Sequence, residues 1–257
     1  MFKNLLVISL LLFSVFAQAS ELESIEKIIQ QAKVEQVDNP LPGTDPYQPF
    51  NRAMFKFNLA FHQHIGGPVA HAYLDYVPQP VQTGVSHFFD NLSTPIHSLN
   101  CFLQGKGEAG LSEIMRFALN TVFGLGGLLD IATPAGLKAH QEDFGQTLYV
   151  WGVWPESHYL VLPFVGPTTT RNLFGDVGDA YMDPIYQDSK TEISKNRSTL
   201  MVGNAFVSYT QYAPLMDSLK DQFDPYIFAR ESYFQYRKNQ LYDGHPPTES
   251  LDDFNFE

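Results

Sequence analysis

Positive charge is what this chain has least of. Lysine and arginine number 16 against 28 acids, for a formal net charge of −12. So acidic a chain suits neither nucleic acid nor anionic lipid headgroups, which attract basic surfaces. No nucleic-acid partner is expected, and any membrane contact has to be hydrophobic. Cysteine is nearly absent too: Cys101 stands alone, which excludes an intrachain disulfide. Charged residues of both signs make up 17% of the chain, below the usual share of about a quarter, while aromatics reach 14%. That balance points either to apolar surface covered by something other than the chain or to an aromatic-rich core.

The spacings that carry catalysis or tight metal binding are missing as well. There is no HExxH, CxxC, EF-hand loop or Gly-x-Ser-x-Gly elbow, so no metal, cofactor or catalytic residue is expected and the chain reads as a non-enzyme. Gly105, Gly107 and Gly110 match the dinucleotide pattern, with Asp130 twenty residues beyond. The preceding segment reads as helix rather than strand, so these glycines are assigned to a corner. His62 and His64 fall on different faces of a helix, and Cys101 sits on an apolar face, where an inert thiol is the default. Asp176, Asp179 and Asp183 lie near Gly175 and Gly178 and are explained by turns and caps without a cation.

What is present begins with an export signal. Lys3, an apolar stretch from Leu5 to Phe16, and Ala17-Gln18-Ala19 form the three parts of a cleavable signal peptide over residues 1–19. Its removal takes away Lys3 and no acid, leaving −13. The residue after the cut is Ser20, where a bacterial lipoprotein would carry cysteine, so no lipid attachment is expected there. Residues 20–44 read as a helix on a Pro/Gly linker, 45–240 as the main domain, and 241–257 as a disordered acidic tail. Asp-Pro at 45–46, 183–184 and 224–225 reads as helix starts, the acid capping and proline occupying the first turn. Helical periodicity comes next at Phe50, Met54, Phe57 and Phe61. It returns over Pro80 to Leu92, after Thr94-Pro95 at Ile96, Leu99 and Leu103, and again from Leu111 to Val122. Tyr159 to Phe164 reads as a short extended piece.

Charge stops after Arg116 and returns at Asp130. The run Phe117–Leu129 between them could cover roughly 20 Å as helix, short of the ~30 Å hydrocarbon core. It cannot cross a bilayer as one helix. Residues 102–136 therefore read as an apolar hairpin turning at Gly124, Gly126 and Gly127, either the core of a soluble periplasmic binding or structural protein or a piece seated in one leaflet. In lipid a helical hairpin is viable while an open loop is not, because backbone groups must be paired.

The chain resembles the MlaA (VacJ) family. The resemblance rests on Asp45-Pro46-Tyr-Gln-Pro-Phe-Asn51-Arg52, Asp75-Tyr76-Val77-Pro78-Gln79-Pro80, Phe102-Leu103-Gln104-Gly105, and Arg116-Phe-x-Leu-Asn120-Thr121-x-x-Gly124-x-Gly126-Gly127-x-x-Asp130. Asp143 to Leu148, Leu162 to Pro167 and Asp224-Pro225-Tyr226 come after these in order, so that it spans roughly residues 45–236. It implies a mainly α fold: a ring-shaped, membrane-embedded helical domain with an amphipathic helical hairpin, in the inner leaflet of the Gram-negative outer membrane. It further implies removal of mislocalised phospholipids from the outer leaflet through a central channel. Expected partners are phospholipids, a trimeric outer-membrane porin and a periplasmic lipid-carrier protein. Arg116, Asn120, Thr121, Gly124, Gly126, Gly127 and Asp130 become the candidate channel and hairpin residues. The absent N-terminal cysteine is the departure from the family pattern.

Overall fold

In the computed structural model, residues 45–187 and 195–246 are described; the signal peptide expected over 1–19, the helix and linker expected over 20–44, and most of the tail expected over 241–257 lie outside them. The helices are α1 (Gln48–Phe61), continuing through a π turn (His62–Gly66) into α2 (Gly67–Tyr76), α3 (Gln79–Leu103), α4 (Gly107–Val122) and α5 (Phe144–Val150). After a two-stranded antiparallel hairpin, β1 (Tyr159–Leu162) and β2 (Gly166–Thr169), come α6 (Thr170–Met182), short α7 (Pro184–Gln187), α8 (Arg197–Ser218) and α9 (Pro225–Leu241). A 3-10 turn, Leu219–Asp221, links the last two. None of these helices is long and apolar enough to cross a membrane.

The elements close a circuit. α1 packs on β1, β2 on α9, α9 on α5, α5 on α3, α3 on α8, α8 on α2, and α2 returns to α1 through the π turn. α3 and α4 form the helical hairpin, packed along their length and joined by a corner at Gly105, whose φ of 78° no β-carbon residue adopts easily. α4 then starts at Gly107, and Gly110 lets the Phe102 ring approach to 2.8 Å of where a Cβ would stand. The glycine triplet is thus a corner, as its helical context implies.

Two motifs far apart in sequence meet at the hydrophobic centre, where Phe55, Tyr159, Val161, Leu219 and Tyr226 are buried together. Asn51, fully buried, donates to the Tyr159 carbonyl at 3.0 Å and accepts from the Val161 amide at 2.9 Å. Two turns on, Asn58 does the same for Leu162 and Phe164 at 2.9 and 2.8 Å. Spacing of seven places both amides on one helix face, so α1 supplies the partners that β1 would otherwise take from a third strand. Arg52 pairs with Asp224 at 2.9 Å and lies over the Tyr226 ring at 4.5 Å. Asp224 caps α9, accepting from the Tyr226 and Ile227 amides. Asp45 departs from the expected capping role: Tyr47 holds the N-cap position of α1, and the Asp45 carboxylate instead accepts from Asn51 and the Tyr226 hydroxyl.

α3 carries the helical pattern on both sides of Pro95 as one unbroken helix. Proline cannot donate to the carbonyl four residues back, but Ser93 and Thr94 hydroxyls bond the Phe89 and Asp90 carbonyls beside it at 3.2 and 3.1 Å. These bonds supply polar contacts around the break, and packing against α4 on its flank keeps the helix whole.

Candidate functional site

The helices bury polar stripes and expose apolar ones. α4 turns Gly110, Glu113, Arg116 and Asn120 inward while Leu111, Ile114, Met115 and Val122 face out. α1 buries Asn51, Ala53, Phe55 and Asn58, leaving Phe50 exposed, so the Phe50/Met54/Phe57/Phe61 stripe is not its most buried face. A soluble amphipathic helix does the reverse.

The inward stripe of α4 holds the segment that succeeds it in the chain. Beyond Val122 there is no second helix; the backbone turns at Phe123–Leu129 and runs back along α4 as an irregular strap to Asp143. The apolar return limb expected between Leu128 and Pro134 is therefore part of a loop, and the helical hairpin is α3–α4 instead. Such a loop closes a few backbone bonds of its own, as from the Leu137 amide to the Ala132 carbonyl, and needs side chains to pair further backbone groups; α4 provides them at each turn. Asn120 Oδ1 accepts from the Ile131 and Ala132 amides at 2.8 and 2.9 Å. Arg116 donates to Thr133 Oγ1 at 3.0 Å and to the Leu137 carbonyl at 2.6 Å. Glu113 accepts from the His140 amide at 2.6 Å, and Lys106 pairs with Glu142 at 2.8 Å. Asp130 accepts from the Thr133 amide at 3.1 Å and its hydroxyl, and lies 3.6 Å from Arg116. Burial opposes ionisation there, but the Thr133 bonds and Arg116 hold its carboxyl below the usual range.

The glycines make the turn at the end of α4. The Gly126 and Gly127 amides bond the Thr121 and Asn120 carbonyls at 3.0 and 2.9 Å, with φ of 74° and 98°; this is a left-handed helix stop. Gly124 has no room for a side chain against the Asn120 backbone and Leu129 carbonyl. A Cβ at Gly127 would stand 2.7 Å from Asn91 on α3, whose amide donates to Thr121 Oγ1 at 3.0 Å. Gly84 receives the Leu128 carbonyl in ordinary contact. All seven residues singled out from sequence thus come together, Arg116, Asn120 and Thr121 on α4 and Gly124, Gly126, Gly127 and Asp130 beyond its end. Val122, Phe123, Leu125, Leu128 and Leu129 project outward from the turn. Asn91, Glu113 and Thr133 join the seven although no motif or spacing marks them. Asn91 is one of many polar residues along α3, with Asp90, Ser93 and Thr94 beside it, and nothing local marks it as a seat for a distant glycine.

The other groups considered from sequence have structural roles. Asp179 accepts from Asn100 at 2.7 Å and the Phe144 amide at 3.0 Å, and Asp183 bonds the Ile185 amide. Asp143 caps α5 and pairs with Arg237 at 2.6 Å. Cys101 is fully buried, its thiol pushed up to about 12 by burial and neighbouring carboxylates. Among the described residues no group of His, Cys, Asp or Glu is arranged to hold a metal ion.

A family profile described as MlaA lipoprotein matches residues 43–240. The Escherichia coli protein called intermembrane phospholipid transport system lipoprotein MlaA is 39% identical over 199 residues, 75% of this chain and 76% of that one. The protein of the same name from Haemophilus influenzae is 34% identical, covering 78% and 80%. A chain from a structural study of how bacterial outer-membrane lipid asymmetry is maintained superposes with a TM-score of 0.66 at 35% identity, covering 78% of this chain and 99% of that chain.

Proposed function

Because this chain belongs to the MlaA lipoprotein family, we propose that it is the outer-membrane component of an intermembrane phospholipid transport system. In this reading it removes mislocalised phospholipids from the outer leaflet through a central channel and so maintains outer-membrane lipid asymmetry. The observation that carries the reading is the inversion of the helices: apolar stripes outward, polar stripes inward, on a circuit with no crossing helix. A surface of that kind is stable in one leaflet, where lipid tails cover the apolar face and the protein satisfies its own backbone.

Phospholipids are the cargo, and no bond is made or broken. Partner proteins are a trimeric porin in the same membrane and a periplasmic carrier that accepts the lipid. The relatives are named lipoproteins, whereas the sole cysteine here is the buried Cys101. We therefore assign membrane attachment to the exposed apolar surface, in the periplasmic leaflet. Cell fractionation tests the placement. Recovery with outer membranes, released by detergent and not by salt, is expected; recovery in the soluble periplasm with no porin would overturn it in favour of a soluble binding protein. Phospholipid hydrolysis by the purified chain would overturn the non-enzymatic reading.

A further inference from the structure

A cavity of about 300 Å³ opens between α1, the π turn, α2, the end of α8 and the 3-10 turn, and it shares no residue with α4 or the strap. Leu59, Met216 and Leu219 give it an apolar wall; the polar wall is His62, His71, Asp217 and Lys220. Local winding builds that polar wall. His62 and His71 are nine residues apart, and at about 100° per residue a continuous α-helix would put them on opposite faces. The π turn from His62 to Gly66, closed by the Gly67 amide on the His62 carbonyl, delays the winding by about one residue and brings His71 round. Its glycines are required: a Cβ on Gly66 would run into the Tyr209 phenol, and one on Gly67 into the His62 carbonyl.

Both imidazoles consequently reach one carboxylate. His62 Nε2 lies 3.3 Å from Asp217 Oδ1 and His71 Nε2 3.0 Å from Oδ2, with Lys220 Nζ 3.3 Å from Oδ1. The Tyr209 hydroxyl, 2.7 Å from His62 Nδ1, fixes the buried ring. π turns recur at functional sites, and polar groups converging over an apolar wall mark a small-ligand pocket.

We infer that this cavity receives a phosphoethanolamine group, its ammonium on Asp217 and its phosphate on Lys220. The inference rests on the proposed lipid-transport function and deepens it by naming the headgroup. Asp217 is the only acid in the lining, and hydrogen bonds from His62 and Lys220 outweigh desolvation to keep it ionised. Lys220 is largely exposed, and an exposed pair of this kind contributes little, so its ammonium can swing to a phosphate. A phosphoglycerol headgroup offers Asp217 no cation. Phosphocholine offers no N–H, and the lining has no aromatic ring to receive a quaternary ammonium.

Calorimetric titration of the purified full chain tests this with dihexanoyl phosphatidylethanolamine, dihexanoyl phosphatidylglycerol, O-phosphoethanolamine and inorganic phosphate. Phosphatidylethanolamine is expected to bind at least about tenfold tighter than phosphatidylglycerol, with at least about tenfold loss in both Asp217→Asn and Lys220→Glu. Lys220 is on the surface, so its variant stays informative if Asp217→Asn loosens His62. Binding of O-phosphoethanolamine with the same variant losses supports headgroup recognition independent of the lipid tails. Equal affinity for the two lipids, O-phosphoethanolamine binding indifferent to Asp217→Asn, or inorganic phosphate binding as tightly as O-phosphoethanolamine, would overturn the assignment. Clearance of outer-leaflet phospholipid by the native chain, measured in parallel, separates failure of this site from failure of the transport function.

Discussion

Asn51 shows how much one side chain carries here. Its amide satisfies both the Tyr159 carbonyl and the Val161 amide inside the hydrophobic centre. Asn51→Ala leaves both buried groups orphaned, at about 1–3 kcal/mol each, so urea unfolding should show a loss of about 2–6 kcal/mol, while an exposed change such as Phe50→Ala should cost much less. Acids on α6 predict a pH dependence. Burial pushes the Asp176 and Asp179 carboxyls up to about 6, with Asp143 adding to both. A folded pKa raised above the ordinary 3.8 means their contribution is full below that value and lost as pH rises through about 6. Asp143 runs oppositely: Arg237 outweighs burial and holds it low, so its contribution is lost only in stronger acid. Between about pH 5 and 7 the melting temperature should therefore fall as pH rises. Asp176→Asn should raise it at pH 7 and flatten the slope, modestly, since water reaches this side chain. No change in slope in an Asp176→Asn, Asp179→Asn double variant would contradict this assignment. The acids were visible in sequence, but their crowding beside Asp143 depends on α5 meeting α6.

At the scale of elements, α4 and its strap are one unit. The seven candidate residues were legible because charge vanishes between Arg116 and Asp130 and glycines punctuate the run. The form of the return limb was not, because apolar residues such as Leu128, Leu129 and Ile131 read alike in a helix and in a loop facing lipid. What decides is the polar ladder Glu113, Arg116 and Asn120, whose partners are backbone groups that no side-chain pattern reveals. Arg116→Ala with Asn120→Ala is predicted to speed limited proteolysis within residues 123–143 by at least about tenfold while helical content holds. Unchanged cleavage would mean that the strap is held by something else. The glycines should separate in the same assay. Gly127→Leu forces both a strained φ and a collision with Asn91, whereas Gly126→Leu meets open space and only the φ strain. The first is expected to dislodge the strap and impair lipid removal more than the second.

For the whole molecule, the mainly helical class was legible from periodicity and from motifs in family order, and the superposition bears it out. The orientation of the stripes was not, since the apolar stripe of α4 looks the same in sequence whether it meets a core or lipid. The circuit of contacts and the buried asparagines settle which side is which. Leu125→Glu with Leu128→Glu places charge on the outward face of the turn and should weaken recovery with outer membranes without lowering thermal stability, which fractionation and a melting curve check together. Transport that keeps lipids asymmetric is read in outer-leaflet phospholipid, by a membrane-impermeant amine label or an outer-leaflet phospholipase, in a deletion strain with and without the chain restored. Phospholipid should accumulate in the deletion and fall to the parental level on complementation; an outer leaflet unchanged by deletion would contradict the transport role.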